Sequence, residues 1–125
     1  MITFKQKGDF KQTSRYLNKI KHVSLMDELN RYAEEGVAAL SKATPVDTGL
    51  TAASWYYEIS KGRDTIKIEW RNSNIVDGVP IAIILQYGHA TGNGGYVTGI
   101  DYINPAMKPI FDKISDLLGK ELSGD

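Results

Sequence analysis

The sequence predicts an α+β fold: a sheet built on an antiparallel β-hairpin, packed against an amphipathic N-terminal helix pair and a C-terminal helix. Three observations predict it. The runs WYYEIS (55–60) and TIKIEW (65–70) each alternate apolar and polar residues with the period of two of a half-buried strand. Leu25, Leu29, Tyr32, Ala33, Gly36, Val37 and Leu40 recur with helical spacing, as do Met107, Ile110, Phe111, Ile114, Leu117 and Leu118.

The elements follow in chain order. Residues 1–9 carry no pattern and read as a flexible arm. Phe10, Leu17 and Ile20 then mark a short surface helix ending at Val23. Ser24 can cap a second helix, with Asp27 and Glu28 in its first turn where the helix dipole favours anions. That helix should end before Pro45, because proline disfavours helical geometry in the residue ahead of it. In TPVDTGLTAASW (44–55), Pro45 stops one element, Asp47 or Thr48 can bond the following amides, and Gly49 permits a sharp turn. The two alternating runs are joined by KGRD, a length suited to a hairpin that buries Trp55, Tyr57, Ile59, Ile66, Ile68 and Trp70 on one face. RNSNIVDG reads as a loop, and Pro80 opens PIAIILQYG as a short buried helix. Asn104 supplies a cap and Pro105 a first turn for the last helix, whose other side carries Lys108, Asp112, Lys113 and Asp116. Its apolar stripe should lie on the aromatic face of the hairpin. Residues 119–125 read as a frayed tail, and 1–125 as one domain, since no repeat or second core is visible.

Composition narrows the chemistry. The 125 residues include no cysteine, which removes disulfides, thiolate metal sites and thiol nucleophiles. The two histidines, His22 and His89, lack the spacing of a helical metal pair. No run approaches the ~18 apolar residues of a membrane helix. The charged amino terminus is unlike a secretory signal, so the chain is expected in the compartment where it is made. Fifteen basic residues balance fifteen acidic ones, but unevenly: residues 1–22 hold Lys5, Lys7, Lys11, Arg15, Lys19 and Lys21 against Asp9 alone. This end is either a solvated helix face or a contact for DNA or an acidic neighbour.

YGHATGNGGYV (87–97) is the densest run. It is no phosphate loop: Gly94 and Gly95 lead into Tyr96 rather than Lys-Ser/Thr, a dinucleotide fingerprint would need glycine at Val97, and no lysine or arginine is present. A hydrolytic set of His89 with Thr91, Ser54, Asp47 or Asp101 can be drawn, but no spacing demands it. Glu34 and Glu35 are adjacent on a helix and point apart. No catalytic, cofactor or metal residue is therefore assigned.

TPVDTGLTAASW resembles the Thr-Pro-Val-Asp-Thr-Gly-x-Leu-x-x-Ser-Trp element of a family of small tail-completion, or head-to-tail joining, proteins of long-tailed bacteriophages. The similarity extends through Tyr87-Gly88-His89, the glycine loop and the Ile103-Asn104-Pro105-Ala106 helix opening, covering about Leu25 to Leu118. Leucine is displaced to Leu50, with Thr51 in its usual place. The resemblance implies a structural virion protein without enzymatic activity, in the host cytoplasm before assembly and then at the neck. It would form a homo-oligomeric ring, sixfold in many such proteins, between a connector or portal-side protein and a tail-tube or tail-terminator protein, with DNA in its lumen and no membrane contact. Tyr87, His89, Thr91, Asn93 and Tyr96 would belong to the subunit interface, the loop being flexible until it meets a neighbour; Pro45, Asp47, Thr48 and Gly49 would form a structural turn. The alternative is a nucleic-acid-binding module using Lys5, Lys7, Lys11 and Arg15 with Trp55, Tyr56 or Trp70 as stacking surfaces.

Overall fold

A computed structural model describes residues 2–7, 19–45, 49–62 and 65–123. The fold is α+β. Its order is β1 (Ile2–Lys7), α1 (Lys19–Ala43), α2 (Gly49–Ala52), β2 (Trp55–Lys61), β3 (Thr65–Asn72), β4 (Ile75–Val76), β5 (Val79–Pro80), α3 (Ile81–Tyr87), β6 (Gly88–Ala90), β7 (Tyr96–Thr98) and α4 (Ile103–Ser123).

β2 and β3 pair antiparallel as the alternation requires, Tyr57 opposite Trp70 and Ile59 opposite Ile68. The sheet has a third strand. The amino-terminal segment, expected as an arm, is β1, and it pairs antiparallel with the other edge of β3, Phe4 opposite Ile68 and Lys5 opposite Lys67. Phe4, buried, anchors it, its ring 5.5 Å from Phe111.

α1 covers the sheet with Leu25, Leu29, Ala33, Gly36 and Leu40, and it runs through Ser24, where the second helix of the expected pair was to start. Neither glycine nor proline interrupts 19–33, and a serine inside a helix costs only a few tenths of a kcal/mol, so nothing local forces a new start. Asp27 and Glu28 accordingly lie beyond the first turn. Residues 10–18 of the proposed first helix lie outside the described residues. Gly36 is required by contact: a Cβ there would stand 2.6 Å from Trp70 Nε1, and that indole N–H donates to the Ala33 carbonyl at 2.9 Å.

α4 packs chiefly along α1 rather than on the hairpin, burying Met107, Ile110, Ile114 and Leu118, while Phe111 reaches Trp70 at 5.8 Å between ring centres. It continues to Ser123, so the tail expected to fray at 119 is helical almost to its end. Among the described residues no helix is long and apolar enough to cross a membrane.

Candidate functional site

Between β3 and α4 the chain makes an excursion, residues 73–101, built from two small hairpins on either side of α3. RNSNIVDG is a hairpin rather than a loop. Asp77 and Gly78 both have positive φ, 51° and 78°, which is the backbone of a two-residue turn that Asp-Gly favours. It sets Ile75 opposite Pro80. Pro80 then stands at the start of α3, as expected, and the Ile81 N–H is taken by the Asn74 carbonyl at 3.2 Å.

α3 ends at Gly88, whose φ of 84° reverses the chain while its N–H bonds the Ile84 carbonyl. The glycine-rich run follows as a second hairpin, Gly88 opposite Thr98 and Ala90 opposite Tyr96. The loop expected to be flexible is internally bonded. Thr91 N–H donates to Gly95 O at 2.9 Å, Gly94 N–H to Thr91 O at 3.4 Å, and Gly95 N–H to Thr91 Oγ1 at 3.0 Å. The amides of Gly94 and Gly95, the kind of group that meets an anion in a glycine loop, are thereby turned onto Thr91, and no lysine or arginine stands on the stretch 72–107.

The base of this arm is a tight crossing. A Cβ at Gly88 would fall 2.4 Å from Val97 O, and one at Gly99 would fall 2.5 Å from Gly88 N. The Tyr96 hydroxyl donates to Tyr87 O at 2.8 Å, and Ile100 N–H to Leu85 O at 2.9 Å. Gln86, buried, locks the arm to the last helix: its Oε1 accepts the N–H groups of Tyr102 (3.0 Å) and Ile103 (2.9 Å), while its Nε2 donates to Asp101 Oδ1. Asn104, expected as the cap, lies inside α4 and donates to Asp101 instead. The capping function comes from Gln86 because its side chain reaches the first free amides from another element.

Tyr102 fixes the other side, donating to Ala82 O at 2.7 Å; burial pushes its phenol up to about 12, opposed in part by a hydrogen bond with Thr44. On the outer face of the sheet, Glu69 lies 3.1 Å from Lys67 and 2.9 Å from Arg71, and their hydrogen bonds hold its carboxyl below the usual range.

Of the residues expected at an interface, Tyr87 (66% exposed), Tyr96 (63%) and Asn93 stand at the surface. Thr91 is half-buried and spends its hydroxyl within the loop. His89 is half-buried, with Nδ1 buried and unpaired among the described residues. The sequence reading missed Ile75, Val76, Val79, Val97 and Ile100, all exposed, together with Leu50 on α2. The Asp-Gly pair between short β-branched runs was the available signal for the first three.

In the TPVDTG stretch, Asp47 and Thr48 lie outside the described residues. Gly49 opens α2 without a left-handed φ, so glycine is not demanded there by a turn. Thr51, where the resembled pattern has leucine, is fully buried and satisfied: its Oγ1 accepts from Asn74 Nδ2 at 2.7 Å and its carbonyl from Asn72 Nδ2 at 2.8 Å. Leu50 faces out instead.

Lys5 is exposed on β1, and Lys7 lies on the same strand. Lys11 and Arg15 lie outside the described residues. Trp55 and Trp70 are corrected as stacking surfaces: both are buried, their indole N–H groups donating to Thr44 Oγ1 and Ala33 O, each at 2.9 Å, because large rings on the inward face of a strand fill the core. Tyr56 alone of the three is exposed. No protein-family model, curated protein or solved structure matches the chain.

Proposed function

We propose that the chain is a structural bacteriophage protein, a head–tail connector or tail-completion adaptor that forms a ring at the neck between the portal or connector and the tail tube. The observation that carries the reading is the braced arm of residues 73–101, which displays apolar side chains on a stretch devoid of lysine and arginine. Such a surface suits docking on protein, since binding to a nucleic-acid backbone rests on cations. The ordered resemblance of TPVDTGLTAASW, YGH and INPA to neck proteins supplies the virion context, and the neutral net charge is compatible with packing copy against copy. Ring closure needs two different complementary patches on each subunit.

The test is to purify tailed particles from cells infected by a phage encoding the chain, then label them with an antibody to it. Gold at the head–tail joint, with deletion yielding separate heads and tails, is the expected result. Particles that join and infect without the protein would overturn it.

A further inference from the structure

We infer that Asn93 is a site of spontaneous, enzyme-free modification: the Gly94 main-chain nitrogen attacks its carboxamide, leaving aspartate or isoaspartate at the tip of the arm. This needs only the chain and water, whatever the chain assembles into.

The sequence holds six asparagines but one Asn-Gly pair, Asn93-Gly94. Ring closure requires the nitrogen of the following residue to reach Cγ, and a side chain on that residue stands in the way; glycine has none. The reaction is intramolecular, so its rate depends on how freely the two atoms come within ~3–3.5 Å of each other. Asn93 sits in the turn between β6 and β7, exposed, with no hydrogen bond on its carboxamide among the described residues. Gly94 is exposed too, and nothing lies within 4 Å of where a Cβ on it would stand. Of the three hydrogen bonds within the loop, the one on the attacking nitrogen is the longest. Gly94 N–H to Thr91 O is 3.4 Å, past the ~3.2 Å where N–H···O bonds usually end, against 2.9 and 3.0 Å for the others.

The other described asparagines are held. Asn72, buried, donates to Thr51 O, and Asn74 donates to Thr51 Oγ1. Asn30 lies within α1 and donates to Met26 O. Asn104 donates to Asp101 and precedes Pro105, whose nitrogen has no proton to give up.

Water alone balances the steps. Gly94 N gives its proton to hydroxide and bonds to Asn93 Cγ; the Cγ–Nδ2 bond breaks, Nδ2 takes a proton from water, and ammonia leaves a succinimide behind. A second water opens the ring. Cleavage between the nitrogen and Cγ restores the ordinary main chain as aspartate, whereas cleavage between the nitrogen and the Asn93 carbonyl carbon routes the chain through Cβ and Cγ as isoaspartate. Nothing is oxidised or reduced. Either product puts a carboxylate on a hairpin that has no Asp, Glu, Lys or Arg from Gly88 to Thr98. Isoaspartate also lengthens the main chain between Thr91 and Gly95, whose bonds to each other close the loop.

In the test the folded chain stands for days in mildly alkaline buffer, is digested with pepsin at acid pH to halt ring closure, and is mapped by mass spectrometry. Isoaspartyl-specific enzymatic methylation separates the two products, and Asn30, Asn72, Asn74 and Asn104 are controls within the same molecule. The expected result is conversion at Asn93 roughly tenfold or more faster than at any of the four, with isoaspartate among the products, and within about tenfold of its rate in urea. Asn93→Gln, with circular dichroism unchanged, should show no conversion at that position. Conversion at Asn93 no faster than at the controls would overturn the inference. So would aspartate formed without isoaspartate, or conversion in urea with none in the folded chain, which would mean that the turn holds the two atoms apart.

Discussion

Gly36→Ala sets two known effects against each other at one atom. Alanine in a helix interior is worth ~1 kcal/mol more than glycine. Against this, the new methyl carbon would lie 2.6 Å from Nε1 and 2.9 Å from Cε2 of Trp70. The indole cannot retreat freely, being fully buried with Phe111 5.8 Å away, and its N–H is held by Ala33 O. Overpacking of this kind costs ~1–3 kcal/mol, and leaving the buried indole N–H unmade adds ~1–3 kcal/mol. The steric side wins, for a net loss of about 1–5 kcal/mol. Gly119 is the control: it sits in α4, exposed, with nothing within 4 Å of where an added methyl would stand, so Gly119→Ala should gain ~0.5–1 kcal/mol. Urea unfolding followed by tryptophan fluorescence measures both. Gly36→Ala as stable as Gly119→Ala would refute the packing of α1 on Trp70.

Three more perturbations follow. Tyr102 titrates higher folded than its ordinary value of 10.0, so its contribution is complete below pH 10 and fades as pH rises toward 12; Tyr102→Phe should flatten the alkaline slope in unfolding titrations, leaving the share that Tyr57, also raised by burial, contributes. Gln86→Leu keeps the bulk but strips the amides of Tyr102 and Ile103 of their acceptor, and should cost ~2–4 kcal/mol by urea denaturation. Gly88→Ala, with φ of 84° and Val97 O in the way, should open the second hairpin, seen as fast amide exchange at 88–98 while β2 and β3 stay protected.

What could be read from the sequence divides by the range of the interaction responsible. The β2–β3 hairpin and the buried face of α4 are repeated local patterns, and both are found where the periods put them. β1 has no such pattern to show: its buried Phe4 stands among polar neighbours, Thr3, Lys5, Gln6 and Lys7. The need for glycine at 36 depends on Trp70, and the cap of α4 on Gln86, partners 34 and 17 positions away that no local window connects. The arm was half legible. Its tyrosines stood out, but the glycines read as flexibility, whereas Gly88 and Gly99 serve to let two backbones cross at its base.

Side-chain hydrogen bonds tie the start of the arm to the stretch that carries the resemblance. Thr44 accepts the Trp55 indole N–H and donates to Leu40 O at 2.6 Å, which joins the end of α1 to the start of β2. Thr51 holds Asn72 and Asn74, and Asn72 Oδ1 accepts the Asn74 N–H at 2.9 Å, which joins α2 to the first residues of the arm. The polar side chains at 44 and 51 thus bond inward and fix where the arm leaves the core, while Gln86 and Tyr102 fix where it returns. A segment held at both ends and bonded within has little conformational freedom left to lose on docking, so less of the interface energy is spent on ordering it. The threonines and the tryptophan thus bear on the surface that Tyr87 and Tyr96 form without being part of it, by fixing where the arm leaves the core.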